Sequence, residues 1–228
     1  MRIKSLSLII AVILAMGAVF FTGCDTSQPP IEAAIIPEVL SARFAGYSII
    51  RPDSAAESEI NAAMYLRGVF AEHGVTIDLN TDWVKRGEEA PKDTPEILVG
   101  DTNRPETAQY AVGLRAGEFT VAKEGTRYVL VCGSDDTIQT ACEWFVQHVM
   151  PWDGEGLYEG GDSFTQKQTY RVDNPTIDGT ALQEYWILYT NTANNEEIIG
   201  AALQQTILEE TGWKLPVKKV NPLDADSE

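Results

Sequence analysis

The sequence predicts an α/β fold: a mixed sheet with helices packed on it, in the order β-α-β-β-β-β-α, followed by the first half of a second similar unit. Three observations predict it. Residues 47–79 place a helix with one apolar side between two short strands. The run "EILVG" at 96–100 is nearly all apolar, the composition of a strand covered on both faces. And Tyr185–Val217 repeats Tyr47–Leu79 without a gap, at a constant offset of 138 positions.

Each element has a local reason. "YSII" at 47–50 is a short β-rich run stopped by Pro52. "SAAE" at 54–57 fits a capping box, with Ser54 as cap and Glu57 reaching back. The helix then runs to about His73 on an apolar side of Ile60, Ala63, Met64, Leu66 and Phe70, and Gly74 stops it. "VTIDL" returns as a strand, and a hydrophilic loop leads to "EILVG". In "FTVAKEGTRYVLVCG" two strand-like segments flank Glu124-Gly125, the mark of a hairpin. "SDDTIQTACEWFVQHVM" carries Ile138, Ala141, Cys142, Phe145 and Val149 at helical spacing; Ser134 or Asp135 caps it and Pro151 ends it.

Residues 151–176 are rich in Gly and Asp, then polar, and read as a linker holding one short strand, "KQTYRV". After it the pattern restarts. Eight of 33 aligned pairs are identical, among them Ile49/Ile187, Glu59/Glu197, Ala63/Ala201 and Gly74/Gly212. About two are expected from ordinary composition. The missing part of this second copy would supply a central strand, a hairpin and a final helix. A piece of roughly fifty residues cannot bury enough apolar area alone, so the sequence predicts a polypeptide that continues past Glu228.

The N-terminus predicts export. Arg2 and Lys4 precede an apolar run from Leu6 to Phe21, 16 residues and short for a membrane span. Phe21-Thr22-Gly23-Cys24 resembles the lipobox of bacterial lipoprotein signal peptides, although Phe21 stands where Leu is common. The resemblance implies cleavage before Cys24, acylation of Cys24, and a membrane-anchored protein on the bacterial cell surface. The organisation expected is a signal peptide over 1–23, a tether over 24–40, an α/β domain over 41–150, a linker over 151–176 and the partial second unit over 177–228.

The chain carries a net charge of −17; without residues 1–23 it has 15 Lys and Arg against 34 Asp and Glu, or −19. Such a surface repels nucleic acid and anionic headgroups, so attachment to the membrane falls to the lipid on Cys24. Cys132 and Cys142 sit in apolar patterns and read as small core residues, not a disulfide. No spacing suits zinc, and no cofactor is indicated.

The phrase "EILVGDTNRPET" at 96–107, with the strand-helix-strand before it, resembles the non-catalytic α/β domain that precedes the barrel in family 20 β-hexosaminidases and bacterial α-glucuronidases. That resemblance covers about residues 45–150 and again 183–217. It implies an accessory module packed beside a catalytic barrel, whose Asp-Glu pair has no counterpart in these residues. A barrel of about 250 residues has no room in the chain either.

Candidate sites follow. Asp101, Thr102, Asn103 and Arg104 leave the carboxyl end of an interior strand, where α/β sheets place binding loops; they suit contact with a sugar or a neighbouring domain, or a plain turn in which Arg104 pairs with Glu106. Trp152 and Tyr158 suit stacking on a sugar ring, or closing the core beside a helix end. Asp153, Glu155, Glu159 and Asp162 lack the spacing of a calcium loop. His73 and His148 fall in the last turns of helices, where partial positive charge suits the dipole, and no nucleophile elbow accompanies them. The function expected is therefore a lipid-anchored scaffold or accessory part of a glycan-processing or glycan-binding protein, with no catalytic residue within the chain. The alternatives are the N-terminal part of a glycoside hydrolase whose barrel lies beyond residue 228, and a solute-binding lipoprotein.

Overall fold

A computed structural model describes residues 35–190 and 195–220; Cys24 and the signal sequence lie outside the described residues. The chain order is α1 (Pro37–Arg43), β1 (Ser48–Arg51), α2 (Glu57–Glu72), β2 (Asp78–Thr81), β3 (Glu96–Val99), α3 (Pro105–Ala111), β4 (Phe119–Glu124), β5 (Arg127–Cys132), α4 (Ile138–His148) and β6 (Ser163–Gln166). A small hairpin of β7 (Thr176–Ile177) and β8 (Thr180–Ala181) follows, then β9 (Ile187–Tyr189), α5 (Glu196–Thr211) and β10 (Val217–Lys219).

The main sheet is mixed, with six strands in the order β2-β1-β3-β5-β4-β6. β2, β1, β3 and β5 run parallel; β4 turns back through a two-residue hairpin, and β6 adds antiparallel at the edge. Alternation along the strands sends side chains to two cores. On one face Ile49, Ile97, Val99, Tyr128 and Leu130 meet α2 and α4. On the other, Ile50, Leu98, Val129 and Val131 lie under α3 with Tyr110 and Leu114. A strand covered on both faces has no use for polar alternation, which is why β3 is apolar from Ile97 to Val99; all four of its residues, Glu96 included, are buried.

The larger core is aromatic at its centre. Phe44 sits edge-on to Phe70 at 5.0 Å, and Tyr128 edge-on to Phe145 at 5.4 Å. Burying each such ring contributes roughly 1.5–3 kcal/mol.

Several expectations need correction. Residues 37–40, expected to belong to the tether, are helical: α1 begins at Pro37, and Leu40 and Phe44 are buried in the core. Arg43 fastens this helix. Its guanidinium donates to Tyr128 Oη (3.1 Å), to the carbonyls of Val149 (2.7 Å) and Trp152, and to those of Gly156 and Leu157. The cap of α2 is Ala56, not Ser54, and the residue that reaches back is Glu59, whose Oε2 accepts from Ala56 N (2.8 Å). Met64 faces outward; Ala62 and Val69 take the inner stripe with Ala63, Leu66 and Phe70. The strand expected at 167–172 lies earlier, at Ser163–Gln166, so part of the segment read as linker completes the sheet.

The second unit shares its strand register, helix length and helix stop with the first, while the helix starts differ: Ala56 is extended and Asn195 left-handed. β9 and β10 run parallel with Ile187 opposite Val217, as β1 and β2 do with Ile49 opposite Leu79, each pair displaced by 138. Both helices span 16 residues, and both are followed by a left-handed glycine, Gly74 (φ 76°) and Gly212 (φ 75°). Glycine is needed at each because any Cβ is strained there. At Gly212 there is a second reason: a Cβ would lie 2.4 Å from the Tyr170 ring. The unit is moored to the first at this point. Ala116 N donates to Gly212 O (2.9 Å), Val172 N to Glu210 O (2.9 Å), and Arg171 pairs with Glu210 at 3.0 Å.

Candidate functional site

The parallel strands point their carboxyl ends at one rim of the sheet, the usual place for a ligand in an α/β fold. The loops there begin at Pro52 after β1, Asp82 after β2, Gly100 after β3 and Gly133 after β5. Such a rim offers backbone N–H groups to an incoming acceptor. In this chain two of its own carboxylates take them.

Glu59, in the first turn of α2, leans over the end of β3. Its Oε2 holds Ala56 N and its Oε1 accepts from Asp101 N (3.1 Å). Gly100 is required beneath it, with φ 86° and space for a Cβ only 2.0 Å from Glu59 Oε1. Asp82 is likewise buried. Its Oδ1 accepts from Asp53 N (2.8 Å), its Oδ2 from Asn103 N (2.6 Å), and its carbonyl from Asn103 Nδ2 (2.6 Å). Each bond to a carboxylate involves an ionised group and is worth more than a neutral one.

The four candidate loop residues divide into two pairs. Asp101 and Asn103 are exposed, while Thr102 and Arg104 are buried. The Thr107 hydroxyl lies 2.7 Å from the Thr102 carbonyl and 2.8 Å from that of Arg104, which fixes the turn into α3. Arg104 does not pair with Glu106. Its Nη2 reaches back under α3 to Glu96 Oε1 (2.8 Å) and its Nε to Glu96 Oε2 (3.1 Å), while Nη1 donates to Asn103 Oδ1 (2.5 Å). Glu106 instead binds Arg127 at 2.6 Å, and Arg127 Nε lies 2.9 Å from Glu96 Oε2, out of line for a hydrogen bond. Two guanidinium groups and two carboxylates therefore alternate beneath α3, and Glu96 is only 2% exposed. Buried charges persist in such a place only when paired.

Beside Glu59 a cavity of about 220 Å³ is lined by Asp101, Cys132, Ser134 and Asp135. Its charged lining is acidic. Burial, with Asp135 and Glu59 nearby, pushes the Cys132 thiol up to about 12, so it holds its proton at neutral pH and is a poor nucleophile. Cys142 is fully buried and raised for the same first cause; both are free thiols. Neither histidine lines this cavity: His73 is the C-terminal cap of α2, and His148 stacks on Trp144 at 4.6 Å with Nδ1 3.0 Å from Trp144 O. Among the described residues no group of three His, Cys, Asp or Glu is placed to hold a metal ion.

Trp152 and Tyr158 lie elsewhere, in the loop after α4. Trp152 Nε1 donates to Glu155 O (3.1 Å), and its ring closes over Gly154. Tyr158 stands edge-on to Trp144 at 5.2 Å. Trp144 itself is stacked between Phe164 (4.3 Å) and His148, so neither of its faces is free for a sugar. The aromatic that does stand out at the rim is Trp83, beside Asp82 and 65% exposed.

Sequence reasoning does not single out Glu59 or Asp82. Glu59 has a readable signal, three residues after a cap, but only once the cap is moved from Ser54 to Ala56. Asp82 has none, because its partners are 29 and 21 residues away.

No protein-family model matches the chain, and no curated protein matches it either. Its likeness to solved structures is weak. The structure of CpGH84D is 13% identical over 53% of this chain and 19% of that one, with a TM-score of 0.33. A GH138 enzyme targeting pectin rhamnogalacturonan II is 11% identical over 63% of this chain and 19% of that one, also at 0.33. The chain thus spans about a fifth of the length of either, and likeness at this level assigns it no function.

Proposed function

We propose that these residues form a non-catalytic accessory module of an exported, lipid-anchored bacterial protein concerned with glycans. The rim carries this reading: the amides that would meet a ligand are already held by Glu59 and Asp82. A site whose donors are satisfied by its own side chains gains little from a substrate, since each bond made costs one broken. The candidate loop residues then act in scaffolding, with Thr102 and Arg104 locking the turn, Asn103 bracing it against Asp82 and Arg104, and Asp101 and Trp83 exposed to a neighbouring domain. Anchoring at Cys24 and the link to glycans rest on the resemblances of residues 21–24 and 96–107.

The test uses the full chain expressed with its signal sequence in a lipoprotein-processing bacterium. Mass spectrometry is expected to find an acylated N-terminus at Cys24, and Cys24→Ala to release the protein from the membrane. A glycan array and chromogenic glycosides are expected to give neither saturable binding nor turnover. Saturable sugar binding abolished by Asn103→Ala would overturn the scaffold role.

A further inference from the structure

The two β-α-β units differ in one respect that bears on recognition. β1 has a strand on each side, whereas β9 pairs only with β10 among the described residues. Ile187 N donates to Pro216 O (2.8 Å) and Tyr189 O accepts from Val220 N (2.8 Å), so those two residues face β10. The alternate residues, Trp186 and Leu188, turn their backbone groups to the open side. Behind that edge a cavity of about 290 Å³ lies between β9 and α5, lined by Ile187, Leu188, Ile199, Gly200 and Leu203. Leu203 corresponds to Tyr65, which packs against the core beside Cys142 and Glu143 of α4.

The first unit shows the chemistry that fills this place. β3 adds in parallel, Ile49 opposite Ile97, and brings four buried residues. It ends in Gly100, and the next amide goes to Glu59 Oε1 at 3.1 Å. At the position of Glu59 the second unit keeps a carboxylate, Glu197, exposed and with no hydrogen bond or ion pair among the described residues.

We infer that the edge of β9 is an acceptor for a polypeptide strand of the β3 kind. Its occupant is a run of three or four apolar residues, parallel to β9, ended by a glycine whose following amide is received by Glu197. Trp186 and Leu188 supply the ladder groups, and alternate side chains of the incoming strand enter the cavity at Ile199 and Leu203. A second copy of this chain is a poor occupant. Two-fold symmetry would pair β9 with itself antiparallel, over three residues, leaving Glu197 unused. The inference stands on the two matched registers and is independent of whether the first unit meets a glycan.

The probe is the synthetic peptide TPEILVGDTNR, the sequence of residues 94–104, titrated into the whole chain while amide hydrogen exchange is followed by NMR. The expected result is saturable slowing at Leu188 by roughly tenfold or more. Glu197→Ala is expected to weaken the peptide about tenfold, the loss of one hydrogen bond to a charged acceptor. Should Glu197→Ala not fold, a peptide with valine in place of its glycine tests the same contact on the intact protein, and it too is expected to bind at least about tenfold more weakly. Exchange at Leu188 unaffected by millimolar peptide would overturn the inference. So would protection indifferent to both changes, or protection present without peptide in a sedimenting dimer.

Discussion

Residues 47–79 and 185–217 share a register and a helix length but not a fate. In the first unit Ala63, Leu66 and Phe70 are wholly buried, because α4 and the strands beyond β1 cover them. In the second, the helix exposes Ile198, Ile199 and Leu203, and Trp186 and Leu188 on the β9 segment stand more than half exposed. Similar local sequence thus gives a similar local fold in both places, and the difference in burial comes from what packs against it. A β-α-β unit owes its shape to periodicity and its helix stop, and its stability to its neighbours.

The largest expected effect separates the two units directly. Phe70→Ala removes a buried ring and is expected to cost about 3–5 kcal/mol by denaturant unfolding. The matched change Leu208→Ala, at a half-buried site, is expected to cost about 1 kcal/mol. Equal costs would mean that α5 is as well covered as α2.

A comparable loss is expected from Glu96→Ala. Glu96 ties Arg104 and Arg127 under α3, and removing one partner of a buried pair costs about 3–5 kcal/mol because the remaining charge is stranded. The second unit has no described equivalent of this network, so exchange at its amides should quicken far less than at β3 and β5.

Acid should act on the mooring between the units. Burial alone would raise the Glu118 carboxyl, but the amides of Arg115 and Gln168 and the Lys167 ammonium hold it below the ordinary glutamate value. A lowered native value favours the ionised form. Its stabilisation is complete above the unfolded value of about 4.3 and is lost as pH falls through the lower native one. Thermal unfolding from pH 7 to 3 should show this loss, and Glu118→Gln should reduce the slope. The residues this carboxylate gathers, Lys167 and Gln168, lead to Tyr170 and Arg171, which hold Gly212 and Glu210.

The smallest effect is expected at the open face. Leu203→Ser should change stability by no more than about 0.5 kcal/mol, as surface substitutions do. A larger loss would show that something covers that side chain.

Much of the fold was legible because it rests on local period. The first five strands and the helices at 57–72 and 138–148 follow from apolar spacing and from the stops at Gly74 and Pro151. What was missed has a physical cause in each case. α1 and α3 have seven residues apiece, too few to show a period, and each starts at a proline that reads as easily as a break. β6, "SFTQ", is a polar edge strand with only Phe164 turned to the core, so alternation places it four residues late. The rim was readable as a loop cluster but not as a filled one. Asp101 to Arg104 stand out by residue type, while the contacts that define them come from Glu59, Asp82 and Glu96, which fold across the sheet to reach them.

Amide hydrogen exchange along β1 and β9, read in one experiment on the whole chain, tests the matched units most directly. Ser48 and Ile50 lie against β3 and should exchange slowly, near the rate of global unfolding, while Trp186 and Leu188 should exchange faster by orders of magnitude. Equal protection at Ile50 and Leu188 would contradict the account, because it would mean that β9 already has a strand on both sides.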